Sequence, residues 1–330
     1  MSRPTAAILD ADGLRLSEAE RAFFREADPW GFILFARNID TLDQVRALTG
    51  EMRDAVGRNA PVLIDQEGGR VQRMGPPHWR KWPAPLDHVK AVGEAAERAI
   101  WLRYRVIAAE LHAVGIDVNC APTLDCAQAE THPFLRNRCF GSDPDRVAAL
   151  GRAAAEGLLA GGILPVIKHM PGHGRATQDS HAELPTIHAP VKDLRALDFR
   201  PFYALRDMPL GMTAHIVLPE LGPEPATGSP AVIRLIREEL GFNGLLMSDD
   251  LAMGAMPGTP AERARATMAA GCDVALFCNA PLADRAAVAE AAGPMNDAAC
   301  RRADAALQQR CAPGYVDIAA LEAELVALTG

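Results

Sequence analysis

Lys168, His169, His173, Asp179 and His181 are gathered in the stretch 167–181, directly after the apolar run 162–167. A run of that kind reads as a buried strand, so Lys168 and His169 fall at a strand's C-terminal end. Pro171, Gly172 and Gly174 exclude helix beyond it and impose a tight, irregular path. His169 and His173 stand four apart, the spacing of a metal-binding pair on a helix, but helix is excluded here and no Glu follows His169 directly. Asp179 and His181 occupy i and i+2 of an extended segment and share one side of it. A carboxylate beside an imidazole orients the ring and raises its pKa, which suits a proton donor near neutral pH.

Two further stretches carry chemistry. Asp249 and Asp250 follow an apolar run at 244–248, and adjacent carboxylates on an extended chain point to opposite sides. One can reach an open mouth while the other turns into the wall; capping of a following helix is the competing reading. In 65–73, Asp65 at a strand end, two glycines and two arginines suit a neutral polyhydroxylated ligand, with Asp65 accepting from vicinal hydroxyls. A solvated turn accounts more readily for Glu67 and Arg70 than for Asp65. Arg138 lies on a long excursion after the fourth predicted strand, within reach of the same mouth.

The elements that position these residues form one alternating series. Apolar runs at 6–10, 31–36, 62–67, 116–121, 163–167, 210–217, 244–248 and 272–278 predict strands. Helical patterns lie between them, for example 17–27 behind a Ser17–Glu20 capping box, 41–56, 93–114, 143–161, 230–240 and 260–270. Near-continuously apolar strands alternating with helices predict an α/β fold, a single (β/α)8 TIM-type barrel over 1–330 with extra C-terminal helices. No G-x-G-x-x-G follows a strand, which disfavours an open dinucleotide-binding sheet. On a barrel, Asp65, His169, His215, Asp249 and Asn279 all fall on the C-terminal rim, where such folds place their active sites.

Composition removes other classes. The chain has 330 residues, 49% of them hydrophobic, ample for a large core. A net charge of −8 and the lack of a Lys/Arg cluster exclude an electrostatic footprint for nucleic acid or a membrane surface. No signal-like leader or bilayer-length apolar stretch is read. Seven scattered cysteines without C-x-x-C spacing read as reduced thiols of a cytoplasmic protein.

Taken together, Asp65-Gln-Glu-Gly-Gly-Arg70, Lys168-His-Met-Pro-Gly-His-Gly174 with Asp179-Ser-His181, and Ser248-Asp-Asp-Leu251 resemble glycoside hydrolase family three. Within it, they are most similar to the bacterial single-domain β-N-acetylglucosaminidases of peptidoglycan recycling. The resemblance covers about 8–279, with the motifs in the family's order. It implies a retaining exo-hydrolase acting on a small muropeptide saccharide, working as a monomer without cofactor or metal. It further implies Asp249 as nucleophile and Asp179 with His181 as the acid/base dyad. Asp65, Arg73, Arg138, Lys168 and His169 are implied as sugar-binding, and His215 as a residue lining the site. Two departures stand out: Met170 where the family usually has Phe, and Arg175 where an acidic residue is common. The loop 171–190 is expected to bring His181 over the sugar when substrate binds. A metal-dependent barrel hydrolase using His169, His173 and Asp249 as ligands is the alternative mechanism, and a saccharide-binding protein without catalysis the third reading.

Overall fold

The computed structural model describes residues 3–178, 183–254 and 256–329. Eight parallel strands follow the predicted series: β1 (Thr5–Asp10), β2 (Pro29–Leu34), β3 (Val62–Ile64), β4 (Val118–Asn119), β5 (Leu164–Met170), β6 (Leu210–Thr213), β7 (Leu245–Met247) and β8 (Ala275–Phe277). Each pairs with its neighbour in sequence, and β8 pairs with β1, Leu276 opposite Ile8. A parallel bridge between Met247 and Val274 closes the ring, with the Asp273 amide donating to the Leu246 carbonyl at 2.8 Å.

Successive side chains of a strand point to opposite faces, and here both faces are dry. Ile8, Ile33, Leu63, Val166, Met212, Met247 and Leu276 fill the barrel interior. Their neighbours Leu9, Leu34, Ile64, Ile167, Leu246 and Phe277 pack outward beneath the helices. Each such aliphatic side chain contributes roughly 1.5–3 kcal/mol on burial. The helices start where their caps dictate: Ser17 Oγ accepts from the Glu20 amide while the Glu20 carboxylate accepts from the Ser17 amide, opening Glu18–Ala27.

One C-terminal helix has a specific task. Met295 and then Ala299, Ala303 and Ala306 of helix Asp297–Leu307 join the interior cluster and seal the N-terminal end of the barrel. The last helix, Ile318–Thr329, packs on Ala96–His112, tied by Arg98 to Glu324 at 2.7 Å.

Several boundaries differ from the sequence expectation, each for a local reason. β5 runs to Met170, three residues past the predicted run, so Lys168 and His169 belong to the strand itself, and both line the pocket at its end. The run 62–67 ends at Ile64, because Gln66–Gly68 turns back on Val71–Gln72 as an antiparallel hairpin. Gly68 and Gly69 make that turn at φ of 108° and 61°, and a Cβ on Gly68 would lie 1.9 Å from Arg103 Nη2. The run 210–217 leaves the barrel after Thr213, since Val217 pairs instead with Thr186 and Pro225. Helix 230–240 is α only over Pro230–Arg234 and then widens to a π turn.

Candidate active site

The C-terminal ends of the strands surround a pocket of about 410 Å³, within the range of small-ligand sites. Four of the five rim residues, Asp65, His169, Asp249 and Asn279, line it together with Arg73, Arg138 and Lys168. The hairpin after β3 returns Arg73 to Asp65, Nη2 to Oδ2 at 3.2 Å. From β5, Lys168 Nζ donates to Asp65 Oδ1 at 2.8 Å and to Glu67 Oε1 at 2.6 Å. Arg138 closes the network with a bidentate grip on Glu67, at 2.8 and 2.9 Å.

Glu67 corrects the solvated-turn expectation. It is buried, 1% exposed, and is the centre of the charge network. Burial alone would raise its pKa, but Arg138 and Lys168 outweigh that and hold it at about 2. Asp65 is likewise held well below the usual carboxylate range, burial being overcome by Lys168 and Arg73. The same carboxylates keep Lys168 charged despite its burial. Arg70 does remain exposed at the mouth, its guanidinium 3.5 Å from the Phe134 ring centroid.

Asp125, on the segment after β4, is a residue that sequence reasoning missed. Its fully buried carboxylate faces His169 Nδ1 at 2.7 Å and accepts from the His173 amide at 2.7 Å. Arg138 Nη2 lies 3.2 Å from His169 Nε2 and is a donor only, so Nε2 accepts and Nδ1 carries the proton toward Asp125. Both nitrogens of His169 are thereby committed within the chain. The metal-dependent alternative needed one of them as a ligand, so the geometry speaks against it. The signal that might have found Asp125 is its place just past a strand end, the argument that found Asp65.

The paired acids do not separate into mouth and wall: both line the pocket, and Asp249 Oδ1 accepts from the Asp250 amide at 2.8 Å. The Asp250 carboxylate accepts from the Ala252 and Cys278 amides at 2.9 and 3.2 Å, and burial lifts its pKa to about 6.

His215 departs from its expected place. It does not line the pocket but lies fully buried behind it, Nδ1 2.8 Å from Thr227 Oγ1 and Nε2 2.9 Å from the Asp250 carbonyl. Only Nε2–H can donate to that carbonyl, so Nδ1 accepts from Thr227; burial also pushes the ring toward neutrality. Its effect is to hold the backbone that carries the two acids. Arg175, the charge departure in the loop, is tied back to buried Asp198, Nε to Oδ2 at 2.7 Å. Met170 is wholly buried between strands and helices. Asp179 and His181 lie outside the described residues.

Known proteins share this arrangement over most of the chain. Residues 7–307 match the glycosyl hydrolase family 3 N terminal domain. A β-hexosaminidase of Chromobacterium violaceum is 38% identical over 299 residues, covering 87% of this chain and 82% of that protein. The native NagZ of Neisseria gonorrhoeae superposes with a TM-score of 0.84 at 32% identity, over 99% of this chain and 96% of that one. The same protein solved in complex with N-trifluoroacetyl-D-glucosamine gives 0.81 at 30% identity, over 100% and 99%. A match running through the whole barrel, on strands that put the three motifs around one pocket, assigns the chain to glycosyl hydrolase family 3, among its β-hexosaminidases.

Proposed function

We propose that this enzyme is a retaining exo-β-N-acetylglucosaminidase that removes the non-reducing terminal N-acetylglucosamine from muropeptides, the N-acetylglucosaminyl-1,6-anhydro-N-acetylmuramyl peptides of cell-wall recycling. The observation that carries the reading is one pocket in which Asp249 faces a fixed set of donors and acceptors built on Asp65, Lys168 and Arg138. Lys168 has three N–H donors and directs two at Asp65 and Glu67, leaving one for a sugar hydroxyl. Each oxygen of Asp65 takes one intramolecular bond and keeps a lone pair for a further hydroxyl. Arg73 and Arg138 complete this glycone subsite, and His169, both of its nitrogens already paired, lines it with its ring. The gonococcal relative's complex with an N-acylated glucosamine supports a sugar of that class.

In the mechanism, the Asp249 carboxylate attacks the anomeric carbon as its bond to the leaving oxygen breaks, and His181 donates a proton to that oxygen. Water then attacks the resulting ester while His181 takes its proton, freeing the sugar with retained configuration and restoring Asp249. Asp179 orients the imidazole in both steps. A neutral imidazole as base avoids a second anion beside the ester when water arrives. His215 acts at one remove, through the Asp250 backbone. A monomer in the cytoplasm fits the reading: all seven cysteines are free thiols and five are buried, as a reducing compartment allows. Among the described residues no helix is long and apolar enough to cross a membrane.

Hydrolysis of 4-nitrophenyl N-acetyl-β-D-glucosaminide, with and without chelator and beside Asp249→Ala, tests the proposal. Chelator-resistant turnover lost in the variant is expected. Turnover abolished by chelator would favour a metal-dependent hydrolase, and sugar binding without turnover a non-catalytic saccharide-binding protein.

A further inference from the structure

His173 is the one ionisable residue of the KHMPGHG stretch whose side chain the proposed mechanism leaves unused. Its backbone is fixed from two sides. The His173 amide donates to Asp125 at 2.7 Å, and the next residue, Gly174, sits so close to Cys126 that a Cβ there would lie 2.0 Å from the Cys126 carbonyl oxygen. The imidazole lines the pocket, 5.7 Å from the His169 ring and only 5% exposed. Neither of its ring nitrogens has a hydrogen-bond partner among the described residues, although both are buried. Leaving a buried polar group unsatisfied costs roughly 1–3 kcal/mol, and a rigid backbone keeps this ring from turning away to relieve it. The neighbouring His169 shows the contrast, with a partner for each nitrogen.

We propose that His173 is a further sugar-contacting residue, its ring offering one N–H and one lone pair to a hydroxyl or amide of the bound saccharide. The assignment rests on the reading of this pocket as the glycone site. A neutral imidazole is a donor and an acceptor at once, which matches a hydroxyl or an amide and no simple ion. Burial, outweighing the nearby carboxylate of Asp125, lowers the ring's pKa to about 4, so it is neutral across the working range. The unsatisfied nitrogens are then a preorganised half of a contact that ligand completes.

The test compares His173→Phe and His173→Leu, which remove both nitrogens, with His173→Asn, which keeps a donor and an acceptor. N-acetylglucosamine is the probe, its inhibition constant read beside KM, kcat and Tm. The inference expects both apolar variants to weaken the probe and raise KM about 5- to 30-fold, with kcat changed far less. Their Tm stays level or rises, because an unpaired buried polar group has been removed. The Asn variant recovers part of the affinity. Wild-type affinity in either folded apolar variant would overturn the assignment. So would a Tm that falls in step with affinity in both, without recovery by Asn, since that is the behaviour of a structural histidine. Failure of the unsubstituted enzyme to bind the sugar overturns the glycone reading itself, and is recognised because it needs no variant.

Discussion

At the N-terminal end of the barrel, Asp273 and Asp117 stand just before β8 and β4 and are enclosed by arginines. Asp273 meets Arg302 and Arg237, both at 2.6 Å, and accepts from the Leu246 amide. Asp117 meets Arg310 at 2.5 Å and Arg53 at 3.5 Å and accepts from the Val62 amide. These bonds join helices to strands, and none of the residues that make them lines the substrate pocket. At the opposite end the same residue types, Asp65, Glu67, Lys168 and Arg138, also pair, yet they do so around an open pocket and leave lone pairs and N–H groups facing it. Beside them stand the nitrogens of His173, which have no partner among the described residues. Identical chemistry thus serves cohesion at one end and recognition at the other. What separates them is whether the chain itself supplies every partner.

The contrast breaks first at Asp249. Asp249→Ala should lower kcat/KM for the chromogenic substrate by about 10³-fold or more, with Tm little changed, since the proposed nucleophile has no substitute within the site. Glu67→Gln comes next: without its charge, Arg138 loses its main counter-ion and Lys168 one of its two. A loss of about 3 kcal/mol in a denaturant titration and a KM raised roughly 10- to 100-fold are expected together. At the other end, Asp273→Asn should cost about 2 kcal/mol of stability while kcat/KM stays within about twofold. Equal losses of activity from Glu67→Gln and Asp273→Asn would erase the distinction between the two ends.

A pH titration of stability sharpens it further. His173 drops from its ordinary 6.5 to about 4 in the fold, driven first by burial, with His169 and Arg138 adding to the fall and Asp125 and Asp249 opposing it. As pH falls through that window the unfolded chain takes the proton first, so this contribution is whole above 6.5 and is lost toward 4. His88 behaves alike, also falling to about 4, whereas Asp250, raised to about 6, adds stability as pH falls toward 3.8. His173→Phe should therefore flatten, without abolishing, the acid-side loss measured by chemical denaturation between pH 6.5 and 4. The smallest effect belongs to the exposed Arg98–Glu324 pair, where Arg98→Ala should leave activity unchanged and shift stability by at most about 0.5 kcal/mol.

The barrel was legible because each strand is an apolar run buried on both faces, a pattern that needs no knowledge of its partner. Rim residues followed from those runs: Asp65, His169 and Asp249 were found by standing at strand ends. Glu67 was not, because its burial depends on Arg138, 71 residues away, and a Gln-Glu-Gly-Gly-Arg turn looks solvated until that arginine folds over it. Asp125 was hidden in the same way, its histidine partner 44 residues distant. His215 shows the reverse error. Its position past β6 is a rim position in sequence, but there the chain leaves the barrel and buries the ring behind the acids. Strand-end position tells that a residue is near the mouth, and only the long-range partner tells which way it faces.

The most direct test of the account is to trap the glycosyl-enzyme. Incubation with an activated 5-fluoro N-acetylglucosaminyl substrate whose ester hydrolyses slowly, followed by proteolysis and fragmentation mass spectrometry, should place one sugar on the peptide that carries both acids and locate it on Asp249 rather than on Asp250. A sugar carried by any other residue, or steady turnover with no covalent adduct, would contradict it.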